Sequence, residues 1–133
     1  MNARFLVVGM FIVGAMSAGT VASRGQGAAG PRTWTMVNFS DPVRVVDQIV
    51  MGPVMIVHDD QKMEQGEPCT TFYRFDPARG PREELISFHC TPVQREQAST
   101  TQLTLSDRTD PGCKRLLEYQ IAGESEAHAI PIR

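Results

Sequence analysis

The chain has 133 residues, of which 41% are hydrophobic, 21% charged and 7% aromatic. These proportions are typical of a one-domain globular protein and exclude a disordered, collagen-like or polytopic membrane protein. With 13 basic and 15 acidic residues the net charge is −2, so we expect no nucleic-acid partner and no attraction to anionic lipid.

The first residues have the order of a secretory signal peptide. Arg4 is followed by the apolar residues 5–16 (FLVVGMFIVGAM) and then by small residues. This order predicts a signal peptide at residues 1–22, cleaved after Ala22, and a periplasmic or extracellular protein. An uncleaved anchor is the alternative, since the uncharged stretch is close to the roughly 18 to 20 residues that span a bilayer; it would be the only contact with a membrane.

The rest of the chain divides into a leader and one domain. Residues 23–32 are rich in Gly and Ala and predict a flexible leader. Residues 33–133 contain short runs of β-branched and aromatic residues between Gly, Pro and Asp, which predicts a single all-β domain. We expect a small antiparallel β-sandwich or open barrel of about six to eight short strands.

The first strand is predicted at residues 34–39 (WTMVNF) and is expected to end at Ser-Asp-Pro, residues 40–42. Residues 43–51 (VRVVDQIVM) are ambiguous, because Asp-Pro resembles a helix N-cap and the apolar residues also lie on a helical stripe. Five of these nine residues are β-branched, which favours two strands with a turn at Asp47 and Gln48.

Three further strand regions follow. Gly52 and Pro53 are expected to precede a central strand at residues 54–58 (VMIVH). Two later pairs of strand-like runs predict hairpins. The first joins residues 69–75 to 83–90, and the second joins 100–106 to 113–121 through a turn at 107–112; a short run at 127–132 ends the chain.

The three cysteines are an odd number for an exported chain, so at most one internal disulfide can form. Cys69 would lie opposite Cys90 in the first hairpin if Thr71 pairs with Phe88. Cys69 and Cys90 are therefore the predicted disulfide. Cys113 is left as a free thiol, an intermolecular disulfide partner or a metal ligand.

The three histidines, His58, His89 and His128, each lie near a carboxylate or a cysteine in the sequence. With Cys113, and with Cys69 and Cys90 if these two form no disulfide, they form a set of residues that could bind zinc or copper. No CxxC, HxH or HExxH spacing joins them, so their convergence stays open. The competing interpretation is that the histidines form hydrogen bonds at strand ends and that the protein has no cofactor.

Catalysis is the weaker interpretation of this sequence. It contains no GxSxG nucleophile elbow and no phosphate-binding loop. The acidic residues after His58 are typical of a solvated loop. We expect a non-catalytic exported module that binds an envelope protein or a second copy of itself, with a zinc- or copper-binding domain as the alternative.

Four stretches resemble sequences of small exported β-domain proteins of bacteria. They are residues 38–59, 66–75 (GEPCTTFYRF), 86–90 (ISFHC) and 113–131 (CKRLLEYQIAGESEAHAIP). The resemblance covers most of the chain after the leader and implies export and one β-domain. It implies no activity, ligand or site.

Overall fold

The computed structural model describes residues 32–107 and 112–132. These residues form eight strands and a short helix: β1 (Arg32–Val45), β2 (Gln48–Asp59), α1 (Asp60–Glu64), β3 (Thr70–Asp76), β4 (Gly80–Phe88), β5 (Thr91–Gln94), β6 (Gln102–Leu105), β7 (Lys114–Gln120) and β8 (Glu126–Ala129). The all-β prediction is confirmed. The predicted signal peptide and nearly all of the leader lie outside the described residues. Among the described residues, no helix is long and apolar enough to cross a membrane.

The strands form one open sheet in the order β4-β3-β2-β1-β7-β8-β5, and β6 pairs with β7. The sheet is mixed, because Val43 and Arg44 of β1 run parallel to β7 while the other pairs are antiparallel. The expectation of a purely antiparallel sheet is wrong at this junction, where two separate groups of hairpins join. The sheet curls: the His58 ring on β2 stacks on the His128 ring on β8, although β1 and β7 separate these strands.

The two predicted interruptions of the strands near the start of the domain, at residues 40–42 and at Gly52 and Pro53, are wrong. β1 continues through residues 40–42, because the register of its pairing with β2 shifts between Phe39 and Val43. Such a bulge bends a strand and accommodates a proline without ending it. Gly52 and Pro53 lie within β2, and Gly52 has a φ of +83°, which a residue with a Cβ atom rarely adopts.

The strand interpretation of residues 43–51 is confirmed. β1 ends at Val45 and β2 begins at Gln48, with the turn at Val46 and Asp47. Val46 has a φ of +56°, which is uncommon for a β-branched residue. Its side chain is buried in the core, so apolar burial offsets the backbone strain.

Both predicted hairpins are present, as β3 with β4 and β6 with β7. The register of the first differs by one residue from the prediction: Phe88 pairs with Thr70, not with Thr71. The predicted second turn lies partly outside the described residues. β5, which the sequence did not predict, begins just after Cys90 and pairs with β8.

The core fills the inside of the curled sheet. Phe72 is fully buried, with ring centroids 5.9 Å from Phe88 and 6.4 Å from Tyr119. These are favourable separations for aromatic pairs. Trp34, the only tryptophan, lies on the outside and is 62% exposed. The core therefore packs β3 and β4 against β7. The outer face of β1 does not contribute to the core.

We expect Phe72→Ala to lower the free energy of unfolding by about 3–5 kcal/mol, because it removes a buried ring and leaves a cavity. Trp34→Ala, the matched control, should change it by less than about 0.5 kcal/mol. Urea unfolding followed by circular dichroism measures both. A loss below about 1 kcal/mol for Phe72→Ala would contradict this description of the core.

Candidate metal centre

His58 is brought into the interior by the end of the β2–β3 pair. It lies opposite Thr70 in the ladder, and its side chain is 2% exposed. The next residue, Asp59, donates its backbone N–H to the Cys69 carbonyl at 2.9 Å. This bond closes the loop that contains α1. His58, near the end of β2, therefore lies beside Cys69, which directly precedes β3.

The Asp59 side chain secures this connection. One carboxylate oxygen caps α1 by accepting from the backbone N–H groups of Gln61 and Lys62, and the other accepts from Arg32 at 2.8 Å. Burial alone would raise the pKa of the Asp59 carboxyl, but Arg32 and the helix N–H groups hold it below its usual value. Asp59 is therefore a charged anchor for the strand end that carries His58.

Cys90 lies at the corner where the chain leaves β4 and begins β5. Its Sγ is 2.8 Å from the Cys69 Sγ, and its backbone N–H donates to the same sulfur at 3.3 Å. Both side chains are buried free thiols. Burial and the contact with Cys69 raise the pKa of the Cys90 thiol to about 12.

The predicted disulfide is not at bonding distance in this structure. A covalent S–S bond measures about 2.05 Å, so the sulfur atoms of Cys69 and Cys90 are in contact without being bonded. The shifted hairpin register explains the offset, because continuing it past Thr70 and Phe88 sets Cys69 opposite His89 instead of Cys90. Oxidation of the pair stays a prediction.

His58 and the two thiols form a group with metal-binding geometry. One ligand atom from each of His58, Cys69 and Cys90 lies within 4.8 Å of the other two. The His58 Nδ1 is 3.2 Å from a carboxylate oxygen of Asp60, whereas its Nε2 is buried and has no hydrogen-bond partner among the described residues. A buried polar atom without a partner costs about 1–3 kcal/mol, and a bound cation would provide that partner.

His128 is not a member of this group but lies against it and offers a second imidazole. Its ring stacks on the His58 ring, with centroids 3.9 Å apart. Its Nδ1 lies 3.6 Å from the Cys90 Sγ, and its Nε2 lies 3.4 Å from a carboxylate oxygen of Glu124. Each histidine thus has a carboxylate at one ring nitrogen, which is how carboxylates commonly orient metal-binding imidazoles.

Both histidines are held in the neutral form. Burial lowers the pKa of His128 to about 4, against the opposing effect of Asp60 and Glu118. Burial and the neighbouring His128 also lower the pKa of His58, and these effects outweigh the carboxylates around it. Neutral imidazole is the form that binds metal ions.

Tyr119 and Thr70 close the inner side of the group. Their hydroxyl groups are hydrogen-bonded to each other, and neither side chain is exposed. The Tyr119 ring centroid is 4.9 Å from that of His128. Burial raises the pKa of the Tyr119 hydroxyl, so it remains protonated and can donate. In the sequence, Tyr119 was distinguished only by its position in the predicted strand at residues 113–121.

The structure brings together only part of the predicted ligand set. His58 and His128 meet, but His89 is exposed and its ring is hydrogen-bonded to the Gly66 carbonyl. Cys113 is buried beside the start of β7 and is not a member of the His58, Cys69 and Cys90 group. The hydrogen-bonding partners Asp60 and Glu124 were not singled out as part of a metal site, although each lies within four residues of its histidine in the sequence.

Comparison of the chain with protein families, with curated proteins and with solved structures found no match. A function must therefore be argued from the chemistry of this site.

In the metal-free protein we expect the free energy of unfolding to fall as the pH decreases from about 6.5 to about 4. The pKa of His128 is about 4 in the folded protein and near 6.5 when unfolded, so the unfolded chain binds an extra proton in this range. Stability is complete above this window, and about 3 kcal/mol is lost by pH 4.

Urea unfolding at a series of pH values, on the wild type and on His128→Gln, measures this effect. The difference between the two proteins isolates His128 from the carboxyl groups that titrate in the same range. Parallel pH profiles for the two proteins would contradict the burial of a neutral His128.

Proposed function

We propose that this domain is a metal-binding module that holds one zinc ion through His58, Cys69, Cys90 and His128. The observation that carries the proposal is the buried His58, whose Nε2 has no partner among the described residues, beside two buried thiols. Two sulfur and two nitrogen donors are a common structural zinc set. All four donors belong to the protein, which supports a structural role over a catalytic one, because catalytic zinc keeps a position for water.

The distances support a tetrahedral site after a small movement. With Zn–S near 2.3 Å and Zn–N near 2.05 Å, a sulfur and a nitrogen ligand lie about 3.6 Å apart. The Cys90 Sγ and His128 Nδ1 are separated by 3.6 Å. Two sulfur ligands would lie about 3.8 Å apart, so the Cys69 and Cys90 sulfurs, now at 2.8 Å, must separate by about 1 Å.

The charges support the same ion. Zn²⁺ with two thiolates and two neutral imidazoles has no net charge, which suits an interior where an uncompensated charge is costly. The cation also displaces the thiol protons despite the raised pKa of Cys90, because a thiol that coordinates a metal is deprotonated. Copper(I) is the alternative ion, since it too prefers soft thiolate ligands.

A disulfide between Cys69 and Cys90 is the second candidate for this site. It is favoured by the 2.8 Å separation of the sulfurs, which must decrease by about 0.75 Å for a bond. A disulfide offers no thiolate to a metal, so the two states exclude each other.

The wider proposal is an exported, non-catalytic module that binds an envelope protein or a second copy of itself; it is supported by the N-terminal sequence and the all-β fold.

We expect the reduced protein to bind one Zn²⁺ or Co²⁺ per chain, with thiolate-to-cobalt charge-transfer absorption. Cys69→Ser and His58→Gln should each weaken binding at least about 100-fold, because each removes a direct ligand. Competition with a chromophoric chelator measures the affinity, and circular dichroism confirms that each variant is folded.

Cys113→Ser and His89→Gln are the matched controls, since each removes the same type of side chain outside the group. Both should bind within about threefold of the wild type. The proposal fails if the reduced wild type takes up no ion, or if the control substitutions weaken binding as much as Cys69→Ser and His58→Gln do.

A further inference from the structure

A cavity of about 300 Å³ lies over the two stacked histidines. It is lined by His58, Asp60, Gly123, Glu124, Ser125, Glu126 and His128. Three of these residues are acidic and none is basic. We call Asp60, Glu124 and Glu126 the acidic mouth.

The acidic mouth contacts both solvent and the imidazoles. The side chains of Asp60, Glu124 and Glu126 are 40%, 23% and 34% exposed. Their carboxylates lie 3.2 Å from the His58 Nδ1, 3.4 Å from the His128 Nε2 and 4.0 Å from the His128 Nδ1, respectively. No Lys or Arg forms an ion pair with these three carboxylates within residues 32–107 and 112–132. Among the residues that the structure describes, no Lys or Arg side chain therefore compensates their negative charge.

A second cavity, of about 480 Å³, borders Cys69 and has the other sign of charge, because Arg32, Lys62 and Arg82 line it. Asp59 is the only acidic residue in that lining and is already paired with Arg32. A cation approaching from this side meets excess positive charge, whereas one approaching through the acidic mouth meets negative charge alone.

We propose that the acidic mouth is the path by which the metal ion reaches the buried thiols, with the two histidines as the first ligands it meets. This inference rests on the proposed function and adds the route of the ion. His58, which lines this cavity, is 2% exposed, and its Nε2 has no hydrogen-bond partner among the described residues; this is the independent sign that a ligand belongs beside it.

Metal binding also releases the protons of the two thiols. Binding of M²⁺ to two thiols forms two M–S bonds, breaks two S–H bonds and releases two protons. The two protons are released to the solvent. Carboxylates in a partly enclosed cleft raise the local cation concentration and the association rate, while thiolates hold soft ions more tightly than oxygen ligands do.

Stopped-flow mixing of the reduced, metal-free protein with Co²⁺ tests the path, with thiolate-to-cobalt absorption as the signal. The double variant Glu124→Gln/Glu126→Gln should bind Co²⁺ about three- to tenfold more slowly at low ionic strength, and the difference should shrink at about 1 M salt. Because Glu124 also orients the His128 ring, we expect the equilibrium affinity of this variant to fall as well, so the association rate is the quantity that tests the path.

The control is Glu84→Gln/Glu67→Gln, which removes the same charge from exposed positions outside the mouth and should keep the wild-type rate. Equal rates for the wild type and the mouth variant would overturn the path while leaving the metal site intact. A lower affinity at an unchanged association rate would also overturn the path, because these glutamates would then act only by orienting the imidazoles. No cobalt–thiolate absorption in the wild type would overturn the proposed function itself.

Discussion

Polar side chains are buried where the two halves of the curled sheet meet, and each of their atoms needs a partner away from water. The Thr70 and Tyr119 hydroxyls satisfy each other across the fold, and carboxylates of Asp60 and Glu124 satisfy one nitrogen of each stacked histidine. The His58 Nε2 is left without a partner among the described residues. The same buried side chains therefore join the two halves of the sheet and form the candidate site. A cation bound by His58 and the neighbouring thiols would provide the partner that the His58 Nε2 lacks.

A metal site at this position would also support the fold. A domain of about a hundred residues can build only a modest core, and small domains often add a metal or a disulfide. The four proposed ligands come from β2, the start of β3, the corner after β4 and β8. One ion would thus join strands that are not neighbours in the sheet, which hydrogen bonds between adjacent strands cannot do.

Much of the strand pattern could be predicted from local sequence, because alternation and β-branching act over a few residues. Residues 43–51 show this, since β-branching outweighed the helical signal. The breaks at residues 40–42 and at Gly52 were wrong because bulges absorb Pro and Gly when neighbouring strands hold the chain in the sheet. The site itself was only partly predictable: His58 and His128 were singled out by residue type, whereas their meeting with Cys69 and Cys90 depends on the parallel junction of β1 with β7 and the resulting curl.

X-ray absorption spectroscopy of the zinc-loaded, reduced protein tests the central claim most directly, because it reports the donor atoms around the metal. We expect two sulfur ligands at about 2.3 Å and two imidazole nitrogens at about 2.0–2.1 Å. His128→Gln should lose one nitrogen ligand and keep both sulfurs. A shell of oxygen and nitrogen atoms without sulfur would contradict the account, because it would place the ion outside the buried group of Cys69 and Cys90.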